Sequence, residues 1–216
     1  MAEPTDFRHI WVPPERSGEP TVLALHGTGA DEHDLLPLAR LIAPGAGVLS
    51  PRGQVLERGM PRWFARHAEG VFDTDDLVRR AGELADFVDD AAVKYGFDRD
   101  NVVAIGFSNG ANIAGGMLLT RPGSLRGAVL LGAMVPLRPE PRPDLSEVAV
   151  LIGNGRNDPI APAEQAEELA RMLDDAGASV QMAWHDGGHE VTADVVETAR
   201  AWLAKLRTAT GSPPLP

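Results

Sequence analysis

Apolar segments alternate with amphipathic ones along almost the whole chain. Phe7 to Val12 reads as a strand, and the short Pro13 to Pro20 connection turns back into a second strand, Thr21 to His26. So short a link has no room for a crossover helix, which predicts that these two strands pair antiparallel. Leu35 to Ile42 reads as a short helix with Asp34 at its N-cap and Pro44-Gly45 beyond its end. Val48 to Ser50 is a short strand. Asp73 to Tyr95 is the longest helix, with Leu77, Leu84, Phe87, Val88 and Ala91 at helical spacing and Gly96 as its stop.

Asn101 to Phe107 is a continuous apolar run, the pattern of a strand covered on both faces. A helix of small residues, Asn109 to Leu119, follows it directly. Gly127 to Gly132 and Val148 to Gly153 repeat the buried-strand pattern. A helix then carries Pro162 in its first turn and ends at Ala176, before the last strand, Ser179 to Trp184, and the last helix, Thr192 to Leu206. This alternation predicts an α/β fold: a mostly parallel sheet with an antiparallel N-terminal strand and helices on both faces. No linker interrupts it, so residues 1–210 are expected to form one domain and 211–216 a frayed tail. Met134 to Glu147 carries four prolines. It is expected to be a stiffened, exposed loop, with one wall of a site as the sharper alternative.

Composition narrows the function. The 216 residues suffice for one substantial core. Twenty Lys and Arg against 31 Asp and Glu leave a net charge of −11 and no basic run, which argues against a nucleic-acid partner. The chain has no cysteine, so disulfides, thiolate metal sites and cysteine nucleophiles are excluded. No apolar stretch approaches the length of a membrane span, and Met1 to Asp6 lacks the pattern of a signal peptide, so a cytoplasmic location is expected.

The chemistry concentrates at Gly106-Phe107-Ser108-Asn109-Gly110, a G-x-S-x-G match at the junction of a buried strand and a helix. At such an elbow the serine takes a strained conformation that lifts its hydroxyl above the sheet edge, while glycines on either side let strand and helix crowd together. A serine hydroxyl needs a base to accept its proton and a third group to orient that base. In this architecture an acid and then a histidine should follow, each in the loop after a later strand. Asp158 follows the Val148–Gly153 strand and His189 follows the Ser179–Trp184 strand. His189 is preferred to His185, because Gly187-Gly188 can turn the chain back over the sheet. Asp186 reads as a turn residue, Asp174 and Asp175 as solvated helix-end residues, and Asp144 lies after the wrong strand.

Acyl transfer also needs donors for the oxyanion. The backbone N–H of Asn109 is one candidate. The second is assigned to Thr28, in the His26-Gly27-Thr28-Gly29-Ala30 loop after an early strand. Trp63 and Met134 are the preferred substrate-binding candidates, whereas Phe64, Phe107 and Trp184 are expected in the core. His26, Asp31, Glu32, His33 and Asp34 match no zinc signature, so no metal site is expected.

With these residues in view, the chain resembles the α/β-hydrolases, and among them the phospholipase/carboxylesterase family with its acyl-protein thioesterase-like members. The likeness spans Thr21 to Leu206. Leu25 to Gly29, Arg58 to Phe64, Gly106 to Asn112 and Asn157 to Ile160 are similar to the bacterial carboxylesterase branch linked to hydroquinone resistance. The resemblance implies a Ser108-Asp158-His189 triad, no cofactor and broad activity on short acyl esters. No insertion is long enough for a separate lid domain, and the open site this leaves favours small or short-chain carboxylic esters. The resemblance also implies a homodimer as one assembly the family forms. Much of the wider family carries Gln after the nucleophile where Asn109 stands here, so thioesterase specificity is not carried over. Two other readings stand beside the esterase: a lysophospholipase or protein deacylase, and a non-catalytic ligand receptor on the same fold.

Overall fold

The computed structural model describes residues 7–208. In chain order its elements are β1 (His9–Val12), β2 (Thr21–Leu25), α1 (Leu36–Ile42), β3 (Gly47–Pro51), β4 (Val55–Glu57), β5 (Met60–Arg62), β6 (Arg66–Ala68) and β7 (Val71–Phe72). There follow α2 (Thr74–Tyr95), β8 (Val102–Phe107), α3 (Asn109–Thr120), β9 (Gly127–Leu131), β10 (Ala149–Gly155), α4 (Ala163–Asp175), β11 (Ser179–His185) and α5 (Ala193–Thr208). The segment 211–216, expected to fray, lies outside the described residues.

Seven strands form one sheet in the order β1-β3-β2-β8-β9-β10-β11. Every neighbouring pair is parallel except β1 with β3. The expected pairing of the first two strands is therefore corrected. The β1 strand is antiparallel, but its partner is β3, from His9 opposite Pro51 to Val12 opposite Val48. Burial explains the insertion. All five residues of β2 are buried, which requires a strand on each side, whereas β1 is only half-buried and suits a sheet edge. Helix α1 provides the crossover that brings β3 alongside β2.

Alternate residues of each central strand feed two cores. Leu23, Leu25, Val102 and Ala104 face α2, α3 and α4, while Val22, Ala24, Val103 and Ile105 face α1 and α5. A strand covered on both sides needs no polar face, hence the continuous apolar runs in the sequence. Helix α2 starts at Asp73, whose side chain accepts from the Asp76 N–H, and ends at Gly96, in the left-handed conformation at φ 72°. Helix α3 is buried along nearly its whole length. A Cβ on Gly116 would lie 2.7 Å from Leu77 Cδ2, so the small residues of α3 let α2 approach it closely.

Two helix starts differ from expectation. Asp34 does not cap α1: Leu35 occupies the N-cap without a side-chain bond, and Pro37 stands in the first turn. Pro162 is the N-cap of α4, just outside the first turn. Between β3 and α2 the chain builds two small hairpins, β4 with β5 and β6 with β7. They stand on the carboxyl-end side of the sheet, where they meet the loop after β2.

Candidate active site

The parallel strands end in register. Leu25 lies opposite Gly106, Phe107 opposite Leu131, and Gly155 opposite His185. Their connecting loops therefore emerge along one edge, where ligands bind in open α/β sheets. Ser108 sits at the tip of the β8–α3 junction with φ 53° and ψ −115°, a region that side chains other than glycine's rarely enter. The tightness of the turn is measurable. A Cβ on Gly110 would lie 1.9 Å from Leu25 O, and one on Gly106 would lie 2.5 Å from Gly110 O. The turn is held by the Ser108 N–H donating to Leu131 O at 2.8 Å.

Asp158 and His189 are joined directly, with Asp158 Oδ2 2.7 Å from His189 Nδ1. The other carboxylate oxygen accepts from the N–H of Ile160 and of Ala161, at 2.8 and 2.9 Å, so the buried carboxylate is fully engaged. The imidazole packs on the Phe107 ring, centroid to centroid 5.0 Å, and over Gly132 at the exit of β9. It therefore lies above the ends of β8, which leads into Ser108, and of its neighbour β9. No hydrogen bond joins the Ser108 hydroxyl to the ring in this conformation, among the described residues. Catalytic hydrogen bonds often tighten only once substrate is bound.

The loop after β2 faces this pair. The Gly29 N–H is committed to Pro61 O at 2.9 Å, but the exposed Thr28 keeps its own N–H without a backbone acceptor among the described residues. Asn109 is the first residue of α3, so its N–H is one of the donors a helix start leaves unsatisfied, at the positive end of the helix dipole. Among the described residues, neither N–H is committed elsewhere, so each can donate to a ligand oxygen. Asn109 has a second task that the sequence reading missed. Its buried side-chain oxygen accepts from the Trp63 N–H at 2.8 Å, which leaves its amide nitrogen without a partner.

Trp63, expected to line the pocket, needs correction. It is 2% exposed, and its indole N–H donates to His26 O at 2.9 Å, so it braces the loop from beneath rather than offering surface to a ligand. Met134 is also buried; its N–H is held by Asn112 Oδ1 at 2.9 Å and its methyl reaches Gly70. Phe107, expected in the core, is half-buried: it packs against the core on the α1 and α5 side and also lies between Gly27 and His189. Phe64 is fully buried, and Trp184 is half-buried beneath the Arg156 guanidinium. His185 is used within its own turn, where it accepts from the Gly187 N–H at 3.2 Å. Asp186, Asp144, Asp174 and Asp175 are exposed. The proline-rich loop begins buried, with Pro136 against Gly115, and then runs out along α4, where Arg138 pairs with Glu168. The cavity of about 180 Å³ it forms with Leu119, Met172 and Asp175 lies at the opposite edge of the sheet from Ser108.

Asp31, Glu32 and His33 bring three ligand-type atoms within 4.8 Å of one another. Their carboxylates are already taken up: Glu32 by Arg8 at 2.7 Å and by Arg52, and Asp31 by Arg52 at 3.0 Å. Burial alone would raise the Glu32 pKa, but its own backbone N–H and the two guanidiniums hold it below the usual value. An ion-pair cluster of this kind fixes the loop after β2 rather than opening it to a cation.

Residues 9–207 match the phospholipase/carboxylesterase family. The chain belongs to that family. Over 196 residues it is 49% identical to MhqD of Bacillus subtilis, covering 91% of this chain and 97% of that protein. It is 30% identical over 175 residues to acyl-protein thioesterase 1 of Cryptococcus neoformans, covering 73% of this chain and 74% of that one. The crystal structure of the Bacillus cereus carboxylesterase superposes with a TM-score of 0.90 at 48% identity, covering 92% of this chain and 94% of that one. The fold is the α/β-hydrolase fold of this family, and the protein is a hydrolase. Among the described residues, no helix is long and apolar enough to cross a membrane.

Proposed function

We propose that the protein is a serine carboxylesterase for small or short-chain carboxylic esters. Ser108 attacks the ester carbonyl while His189 accepts its proton, and Asp158 holds the imidazole tautomer and offsets the charge it acquires. The N–H groups of Thr28 and Asn109 receive the oxyanion. His189 then protonates the leaving alkoxide, and a water repeats the sequence on the acyl-enzyme. The carrying observation is the 2.7 Å Asp158–His189 bond, made over the strand ends beside a serine held at φ 53°. A purely structural turn has no need of either feature.

The small-substrate reading is supported by surface near the oxyanion loop. Met60 is 42% exposed and packs against Gly29, so an apolar side chain stands beside the oxyanion loop. A cytoplasmic location belongs to this reading as the expectation from the sequence pattern, and a homodimer through the family resemblance alone.

A p-nitrophenyl ester series tests it. Hydrolysis is expected to peak at short chains and to vanish in Ser108→Ala. Activity that keeps rising beyond about ten carbons, as each added methylene finds an apolar channel, would move the assignment to a lysophospholipase or deacylase. A folded wild type that neither turns over esters nor labels at Ser108 with a fluorophosphonate would move it to a ligand receptor.

A further inference from the structure

The segment Pro61-Arg62-Trp63 straps both halves of the oxyanion site together. On one side Pro61 O accepts from the Gly29 N–H at 2.9 Å, and the Trp63 indole donates to His26 O at 2.9 Å. On the other, the Trp63 backbone N–H donates to Asn109 Oδ1 at 2.8 Å. Arg62, at the centre, is 3% exposed. Its Nη1 donates to Thr28 Oγ1 at 3.0 Å and to Glu57 Oε2 at 3.1 Å, and its Nε to Phe64 O at 3.3 Å. Glu57 in turn accepts from Arg66 Nε at 3.1 Å.

We propose that Arg62 is a positioning residue for the oxyanion site, acting by gripping the Thr28 hydroxyl. This rests on the esterase reading above. Thr28 is exposed, in a glycine-flanked loop, yet its N–H must point at a spot fixed by Asn109. Hydrogen bonds from a well-ordered donor are what hold such a loop to within the fraction of an ångström that transition-state binding requires. Arg62 is well ordered because it is buried, with Glu57 accepting from the same Nη1 that meets Thr28 and Phe64 O accepting from Nε.

The test compares wild type, Arg62→Met, Arg62→Lys, Thr28→Val and the Arg62→Met/Thr28→Val double variant on p-nitrophenyl acetate, with Ser108→Ala as control and circular dichroism as the check on folding. Arg62→Met is expected to lower kcat about 10- to 100-fold with KM within about threefold of wild type, because the lost interaction acts in the transition state. Thr28→Val is expected to lower kcat in the same direction, and the double variant to lose no more than Arg62→Met alone, since both break one contact. Arg62→Lys is expected to recover part of the loss. A folded Arg62→Met with undiminished kcat overturns the proposal, as do losses that multiply in the double variant. Should Arg62→Met fail to fold, Thr28→Val decides: full kcat in that variant is equally fatal. An active Ser108→Ala removes the esterase reading and this proposal with it, whereas an inactive one beside a fully active Arg62→Met removes only the role of Arg62.

Discussion

A Cβ on Gly132 would lie 2.8 Å from Cε1 of His189. The imidazole therefore rests directly on the backbone at the exit of β9, held between that surface, the Phe107 ring and the Asp158 carboxylate. Gly132 has φ 62°, so the position is closed to other residues on two counts. Gly132→Ala is expected to push the ring off its seat and lower kcat about 100-fold, the usual consequence of an ångström-scale misplacement. It should also cost about 1–3 kcal/mol of stability through backbone strain. Steady-state kinetics and urea unfolding measure the two effects separately. Normal kcat in the folded variant would mean that the ring's seat is not what fixes it.

Asp158 allows a sharper substitution. Because Oδ1 accepts from two backbone N–H groups, that oxygen must remain an oxygen in Asp158→Asn. The amide nitrogen then takes the place of Oδ2 and presents a donor to His189 Nδ1. The imidazole must accept there and carry its proton on Nε2, the wrong tautomer for a base. The expected loss in kcat is about 10⁴-fold with the fold retained. Asp158→Ala, by contrast, strands two N–H groups and should cost about 1–3 kcal/mol of stability as well. If the two variants match in stability, the Oδ1 contacts contribute little.

Strain at Ser108 can be read without any substrate. A side chain at φ 53° and ψ −115° costs about 1–3 kcal/mol, which glycine escapes while giving up some unfolded-state entropy. Ser108→Gly is therefore expected to unfold at higher urea than Ser108→Ala, by about 1 kcal/mol, although both are inactive. The reverse order would show the elbow to be relaxed.

Sequence patterns made the sheet and the site's chemistry legible for different reasons. Central strands such as Val102–Phe107 are buried on both faces, so their apolar runs are unmistakable. The elbow is legible because only glycine tolerates the approaches at Gly106 and Gly110. Edge pairing was not legible: the direction of β1 follows from its short link to β2, but its choice of β3 depends on which strand is left needing a neighbour. The β4–β7 hairpins were invisible because strands of two or three residues are too short to carry a periodicity. The same holds for Arg62 and for the burial of Trp63. An aromatic residue in a loop reads alike whether it faces ligand or braces backbone, and only its two hydrogen bonds, to Asn109 and His26, separate the cases.

His26 links the oxyanion loop to pH. It is 1% exposed, with Nε2 accepting from the Gly53 N–H at 2.9 Å and Nδ1 donating to Gly27 O at 2.7 Å, so the ring is neutral with its proton on Nδ1. Burial is the largest influence and holds its pKa below 6.5; the Gly27 carbonyl, Asp34 and Asp31 oppose it, and Arg52 assists. With the folded value below the unfolded one, the unfolded chain takes up the proton first as pH falls. The stability His26 contributes is therefore complete above the unfolded value of about 6.5 and is lost as pH falls below it, by at most about 1.4 kcal/mol per pH unit for one proton. His26→Gln keeps an acceptor for Gly53 but cannot titrate. Urea unfolding of both proteins at pH 7.5 and pH 5.5 should show wild type losing more stability than the variant across that interval. Parallel losses would mean that the ring does not titrate differently in the folded and unfolded chains.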